Sequence, residues 1–314
     1  MQGEDFWRFK EHRSGKLSGM AFLEWKYFSF VDDDIRGFIC YSIGNPNNVF
    51  GLKRGIITYA IYHENGEESG YVEIPGKKID LNLGKVGHFG SMSIEHDKEN
   101  FWRLKGSHEK THWDLAFSGV APGKHIHLDL GRKLFTDSWM DWLVLCNSAE
   151  VKGRVTIGNK VYRIDGMGYC DSNLGHWKPS DTLWYWGNFL GTFRGDIVSL
   201  TLGESRFRKK KIGFVYLSVG KNMHVFNTHE YDIIHMDPKE GGDGYTLVGK
   251  KEGMDLRATF HAERSDKILL KAFGIVPLIE LRFQLGTISL RLKTPDGDVV
   301  KTLCRGMWEF PERP

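Results

Sequence analysis

Residues 151–164, VKGRVTIGNKVYRI, have the pattern of a β-hairpin. Apolar and polar side chains alternate on both sides of Gly158-Asn159, and a period of two residues is typical of a strand that buries one face. Glycine and asparagine between two such runs form the two-residue turn that joins antiparallel strands. Residues 287–303 repeat the pattern around a Thr-Pro-Asp-Gly turn. Both segments therefore predict antiparallel β-sheet.

Turn sequences recur at short intervals along the whole chain, which contains 37 glycines. The runs between them are short and rich in Val, Ile, Tyr, Phe and Thr, as in antiparallel meanders. No segment keeps the apolar spacing of a helix for three turns; the nearest, residues 136–149, leaves one short helix as an alternative there. The predicted fold class is all-β, built from antiparallel barrels or sandwiches.

The chain is long enough for two such units. Domains of roughly 150 residues are common, and the chain has 314 residues. A polar stretch, residues 147–150, precedes the hairpin pattern that begins at Val151. We expect an N-terminal domain over residues 1–150 and a C-terminal domain over residues 151–314.

Composition and charge narrow the function classes. Aromatic residues make up 13% of the chain, which suits both packed cores and ligand cavities. The net charge is only +3, and nothing besides the basic cluster at residues 206–211 points to nucleic acid, so no nucleic-acid partner is expected.

Neither the cysteines nor the histidines form a convincing metal motif. The four cysteines lie far apart without C-x-x-C spacing, which predicts buried free thiols. His125 and His127 would share one face of a strand, but the sequence shows no evident carboxylate partner for them. We expect no metal ion.

The amino terminus reads MQGEDFWRFKEHR, with charges where a secretory signal has an apolar run. A cytoplasmic location is therefore expected. No window approaches the roughly 18 apolar residues of a membrane helix, so no transmembrane segment is predicted.

The most site-like segment is residues 165–189, DGMGYCDSNLGHWKPSDTLWYWGNF. Its glycines permit sharp turns or close approach of the backbone. It also concentrates hydrogen-bonding and aromatic side chains: Tyr169, Asp171, Asn173, His176, Trp177, Trp184, Tyr185 and Trp186. The alternative is structural, with Asp171 and Asn173 capping turns and the tryptophans filling a core.

A second segment, residues 22–28, would place Glu24 and Lys26 on one strand face and Trp25 and Tyr27 on the other. If this strand borders a cavity, either a carboxyl group or a phenol enters it. Desolvation among apolar walls raises the pKa of a carboxyl group, which could then donate a proton near neutral pH. Asp171 could act in the same way.

These two segments resemble motifs of the carotenoid 1,2-hydratase (hydroxyneurosporene synthase) family. Residues 168–175, GYCDSNLG, and 184–187, WYWG, resemble its G-Y-x-D-x-N-x-G and W-x-W-G signatures, and residues 24–28, EWKYF, resemble its amino-terminal E-W-W-Y-F. The order and spacing of these motifs extend the similarity over most of the chain. The resemblance implies two lipocalin-like β-domains that hold an apolar polyene, terpenoid or polyketide between them, without a cofactor.

The superfamily so identified also includes intramolecular Diels–Alderases and members without enzymatic activity. The resemblance implies that Asp171 is the catalytic acid. This chain has Cys170, Ser172 and Leu174 where family hydratases tend to carry His or Trp, and Lys26 replaces a Trp. Cyclisation or isomerisation of a hydrophobic substrate, or its carriage, is therefore as well supported as hydration.

The sequence thus predicts a cofactor-independent cyclase, isomerase or hydratase, with a non-catalytic lipocalin-like carrier of a hydrophobic small molecule as the alternative. The carrier becomes favoured if Asp171 and Glu24 are engaged in surface turns or ion pairs. The candidate catalytic residues are Asp171, Glu24 and Tyr27. The candidate substrate-binding residues are Tyr169, Asn173, Trp177, Trp184, Trp186 and Trp25.

Overall fold

The computed structural model describes residues 7, 22–45, 51, 53–81, 85–98, 100–133, 136–176, 183–207, 210–235, 244–272 and 276–312. Within them nearly every residue belongs to a β-strand or a short turn, and Gly76–Lys78 forms a 3-10 turn. The chain divides into two compact units, Met1–Trp177 and Lys178–Pro314. The all-β prediction is confirmed.

The first unit contains one 12-stranded antiparallel sheet that curls into a nearly closed barrel. Its strand order is β4-β3-β2-β1-β12-β11-β9-β8-β7-β6-β5, and β10 pairs with β11. Neighbours are mostly consecutive in sequence, and β1, the first strand of the unit, pairs with β12, the last. The strands are β1 (Phe22–Val31), β2 (Ile35–Gly44), β3 (Arg54–His63), β4 (Gly66–Pro75), β5 (Ile79–Asp80), β6 (Val86–Phe89), β7 (Met92–Lys98), β8 (Phe101–His108), β9 (Thr111–Pro122), β10 (His125–Lys133), β11 (Thr136–Ile157) and β12 (Lys160–His176).

The second unit repeats this plan with nine strands in the order β16-β15-β14-β13-β21-β20-β19-β18-β17. Its first strand again pairs with its last. The strands are β13 (Leu183–Phe193), β14 (Asp196–Phe207), β15 (Lys210–Val219), β16 (Asn222–Asn227), β17 (Tyr231–His235), β18 (Gly244–Lys251), β19 (Met254–Ala272), β20 (Val276–Lys293) and β21 (Val299–Glu312).

Each unit has its own apolar core. In the first unit it includes Phe28, Leu104 and Phe117, all fully buried. In the second it includes Leu256 and Leu290. Core side chains recur at every second residue of a strand, because alternate side chains point to opposite faces of a sheet.

Both predicted hairpins are confirmed. Strand β11 ends at Ile157 and β12 begins at Lys160, which is its Cα partner across the turn. Gly158 adopts a φ of 58°, in the left-handed region where glycine meets no steric penalty. The second hairpin joins β20 to β21.

The alternative of a short helix over residues 136–149 is wrong, because that segment is the first half of strand β11. Here both strand faces are buried, at Asp141, Trp142, Leu143 and Val144, so no polar face marks the period of two residues. The same strand runs through the boundary expected at 150/151. Glu150 pairs with Ser118 and with Met167, and the division between units falls at 177/178 instead.

Among the described residues, no helix is long and apolar enough to cross a membrane.

Candidate functional site

Asp171 lies near the carboxyl end of β12, and its side chain is buried, with 2% of its surface exposed. Its oxygen Oδ2 accepts two hydrogen bonds, from Trp142 Nε1 at 2.9 Å and from the Tyr169 hydroxyl at 2.9 Å. Both donors are themselves buried. The carboxyl group is therefore held in a fixed position by two aromatic side chains, on β11 and β12.

Tyr27 shares this face of the sheet, because it is the Cα partner of Asp171 across the β1–β12 pair. Its ring stacks on Phe38 at 5.3 Å between centroids and meets Tyr169 edge-on at 6.5 Å. We refer to Tyr27, Phe38, Trp142, Tyr169 and Asp171 as the Asp171 cluster. It is one buried carboxyl group enclosed by aromatic side chains from four strands.

Two opposing effects act on the Asp171 carboxyl group. Burial favours the neutral acid, and hydrogen bonds donated to the group favour the carboxylate. The hydrogen bonds from Trp142 and Tyr169 to Oδ2 fix the orientation of the group. The arrangement can thus present a carboxyl group in one defined direction.

The thiol beside Asp171 does not supply a nucleophile. Burial raises the pKa of the Cys170 thiol well above its usual value, and a contact with Cys146 on the opposite strand adds to the effect. A thiol kept protonated is a poor nucleophile.

Glu24 is separated from Asp171 by the sheet itself. It is fully buried on the opposite face of β1, where Lys26 Nζ lies 2.8 Å from its Oε1. Lys26 also donates to Ser172 Oγ at 2.9 Å and lies 5.3 Å from the centre of the Trp7 ring. Of the three predicted catalytic residues, the structure brings Asp171 and Tyr27 together and places Glu24 in a buried ion pair.

The predicted binding residues fall into two groups. Asn173 and Trp25 are Cα partners on the face that carries Asp171, with Asn173 buried and Trp25 half-buried. Trp184 and Trp186 are half-buried residues of β13 in the second unit, where Trp184 Nε1 donates to Glu309 Oε1 at 2.7 Å. Trp177 lies outside the described residues.

Sequence reasoning missed two members of the Asp171 cluster, Trp142 and Phe38. It also missed the carboxylate partner of the histidine pair, which is Asp141: its Oδ1 lies 2.6 Å from His127 Nδ1 and 3.3 Å from His125 Nε2. Asp141 and His127 are Cα partners on β11 and β10. Reading residues 136–149 as a strand would have been the signal for Trp142 and Asp141. Over the described part of the chain, no group of three or more His, Cys, Asp or Glu side chains has an arrangement that could hold a metal ion.

Comparison with known proteins gives a clear result at the level of the fold. No protein-family model matches the chain, and no curated protein sequence is significantly similar to it. Solved structures do match, among them the AttH-like protein NE1406 of Nitrosomonas europaea, with a TM-score of 0.63, 10% identity, and coverage of 99% of this chain and 98% of that one.

Two further solved structures match over most of their length. CghA has a TM-score of 0.62 at 10% identity, covering 93% of this chain and 88% of its own. Kievitone hydratase from Nectria haematococca has a TM-score of 0.57 at 12% identity, covering 92% and 88%. At such identities the likeness shows the fold alone, and that fold is a pair of lipocalin-like β-barrels.

Proposed function

We propose that this protein binds an apolar small molecule beside the Asp171 cluster and catalyses its cyclisation, isomerisation or hydration without a cofactor. The observation that carries the proposal is the Asp171 carboxyl group, buried and held at one oxygen by Trp142 and Tyr169. A fixed, desolvated carboxyl group is one of the side chains that act as acids in proton-transfer sites.

In this proposal the neutral Asp171 carboxyl group is the proton donor. Transfer of this proton to one carbon of an alkene leaves a carbocation at the next carbon and a carboxylate at Asp171. Water then adds to the cation, or a second double bond of the substrate closes a ring, and loss of a proton restores the acid. The two hydrogen bonds to Oδ2 stabilise the carboxylate that forms in the first step.

The aromatic side chains suit both the substrate and the intermediate. Tyr27, Phe38 and Trp142 offer flat apolar surface to a polyene, terpenoid or polyketide skeleton. Aromatic faces also attract a developing cation, by about 0.5–2 kcal/mol each. Holding a flexible chain in a reactive conformer lowers the barrier further. The fold shared with kievitone hydratase supports hydration as one of the three reactions.

The test is the variant Asp171→Asn. Asparagine keeps the shape of the side chain and an oxygen that can accept the hydrogen bonds from Trp142 and Tyr169, but it has no acidic proton. We expect wild-type protein incubated with kievitone or an acyclic carotenoid to yield a product one water heavier, or an isomer, by liquid chromatography and mass spectrometry. Asp171→Asn should bind the same compounds, measured by quenching of tryptophan fluorescence, with product formation lowered about 100-fold or more.

The matched control is Asp165→Asn, which removes a largely exposed carboxylate from the same strand. It should leave both binding and product formation unchanged. Equal turnover by Asp171→Asn and wild type would remove Asp171 from the mechanism.

A second candidate function, a carrier without chemistry, is favoured by the state of Glu24. Its ion pair with Lys26 leaves one of the two predicted acids engaged in structure. Binding of the same compounds without any product from wild-type protein would support the carrier.

A further inference from the structure

A separate group of ionisable side chains lies on the face of the first sheet opposite to Asp171. Trp142 points toward Asp171, so its neighbour on β11, Asp141, points to the other face. There Asp141 Oδ1 lies 2.6 Å from His127 Nδ1 and 3.3 Å from His125 Nε2. We call His125, His127 and Asp141 the histidine cluster.

The three side chains differ in exposure. Asp141 is 8% exposed, whereas His125 is 46% exposed and His127 is 58% exposed. A buried carboxylate thus anchors imidazole rings that reach solvent. Both imidazoles lie against the same carboxylate oxygen, and His127 is hydrogen-bonded to it.

A second contact fixes the orientation of the His127 ring. Trp139 lies two residues before Asp141 and stacks on His127, with 6.0 Å between ring centroids and 28° between ring planes. With Nδ1 against the carboxylate and one ring face against the indole, Nε2 is turned away from Asp141. A hydrogen bond from Nδ1–H to a carboxylate fixes the tautomer in which Nε2 carries a lone pair.

We propose that the histidine cluster is a second proton-transfer site, in which His127 Nε2 acts as general base on a planar carbon acid taken from solution. Asp141 is its positioning residue. Trp139 adds flat apolar surface beside the base, which suits a substrate whose acidic C–H is attached to a planar, electron-withdrawing ring or enone. This activity does not depend on Asp171, because the two sites lie on opposite faces of the sheet.

A general base can be tested without the natural substrate by using 5-nitrobenzisoxazole. The base removes the ring C–H proton, the electron pair of that bond forms a nitrile, and the N–O bond breaks to give a nitrophenolate, which is followed by its absorbance. We expect wild-type protein to exceed the same concentration of free imidazole by at least about tenfold, with His127→Asn losing that excess. Asp141→Asn should lower kcat severalfold and leave KM unchanged, because the base remains but loses its orientation.

A control variant and a chemical modification separate this site from other surface histidines. His229→Asn, which removes an 81% exposed histidine near Glu230, should keep the whole rate. Folded wild-type protein treated with diethyl pyrocarbonate should lose rate in proportion to the fraction of its His127 peptide that is modified, measured by mass spectrometry. A wild-type rate equal to that of imidazole, or a rate unchanged by His127→Asn and by modification of His127, would overturn the proposal.

Discussion

Asp171 and Lys26 are buried ionisable residues of paired strands. They differ in their partners, which are neutral donors for Asp171 and a carboxylate for Lys26. Asp171 receives its hydrogen bonds from the neutral donors Trp142 and Tyr169. Lys26 faces the opposite charge of Glu24 at 2.8 Å. A buried carboxyl group that accepts hydrogen bonds from neutral donors can exchange a proton, whereas a buried ion pair holds both of its charges in place.

The ion pair provides a prediction about stability. Lys26→Met leaves the fully buried Glu24 carboxylate without the ammonium group, and the expected loss is about 3–5 kcal/mol of unfolding free energy. Urea denaturation followed by circular dichroism measures it. The double variant Glu24→Leu with Lys26→Met should recover most of the loss, since no uncompensated charge remains. If Lys26→Met alone is as stable as wild type, the ion pair between Lys26 and Glu24 is not buried.

At the scale of the residue, the sequence predicted which side chains share a strand face better than which of them meet across strands. Alternation along residues 22–28 correctly separated Glu24 from Tyr27, and the confirmed strand pattern follows from elementary geometry. The hydrogen-bond partner that the sequence missed, Trp142, lies on β11, where residues 141–144 are buried on both faces. Burial on both faces removes the alternation from which strands are recognised.

At the scale of the element, the register of β11 against β12 is a second reason why the residues that meet Asp171 could not be predicted. The turn at Gly158-Asn159 sets the pairing of β11 with β12, and simple extension of that register would put Val144 opposite Asn173. Two irregularities, between Val144 and Cys146 and between Cys146 and Ala149, shift it so that Val144 is opposite Asp171. Bulges of this kind occur near functional sites and redirect side chains. They leave no clear mark in a single sequence.

The turn itself can be tested by substitution. An added Cβ at Gly158 would meet no atom within 4 Å, so only the backbone conformation penalises Gly158→Ala. We expect a loss of about 1–2 kcal/mol in urea denaturation. Gly158→Asn should cost less, because asparagine tolerates the left-handed region. Equal stability of Gly158→Ala and wild type would contradict the turn conformation.

At the scale of the whole molecule, the two units share a plan in which the first strand pairs with the last. The main cluster of described core residues in the first unit is separate from that in the second. The sequence predicted two domains from length alone, and it could not locate the division because β11 continues through the polar residues taken as a boundary. A polar stretch inside a long strand resembles a linker when only composition is considered.

Separate cores predict separate local stability. Leu290→Ala truncates a buried side chain of the second core and should cost about 2–5 kcal/mol. Hydrogen exchange measured by mass spectrometry should then rise in peptides of residues 183–312 and stay constant in peptides of residues 22–176. Leu104→Ala, in the first core, should give the reverse pattern. Increased exchange in both units from either variant would show one cooperative core.

The most direct test of the account compares the compounds that purify with wild-type protein and with Asp171→Asn, extracted into organic solvent and weighed by mass spectrometry. If Asp171 is the acid, the wild-type protein carries the product and the variant carries its precursor. The two compounds share one apolar skeleton, and the precursor is either an isomer of the product or one water lighter. The same compound in the same amount from both proteins would contradict it.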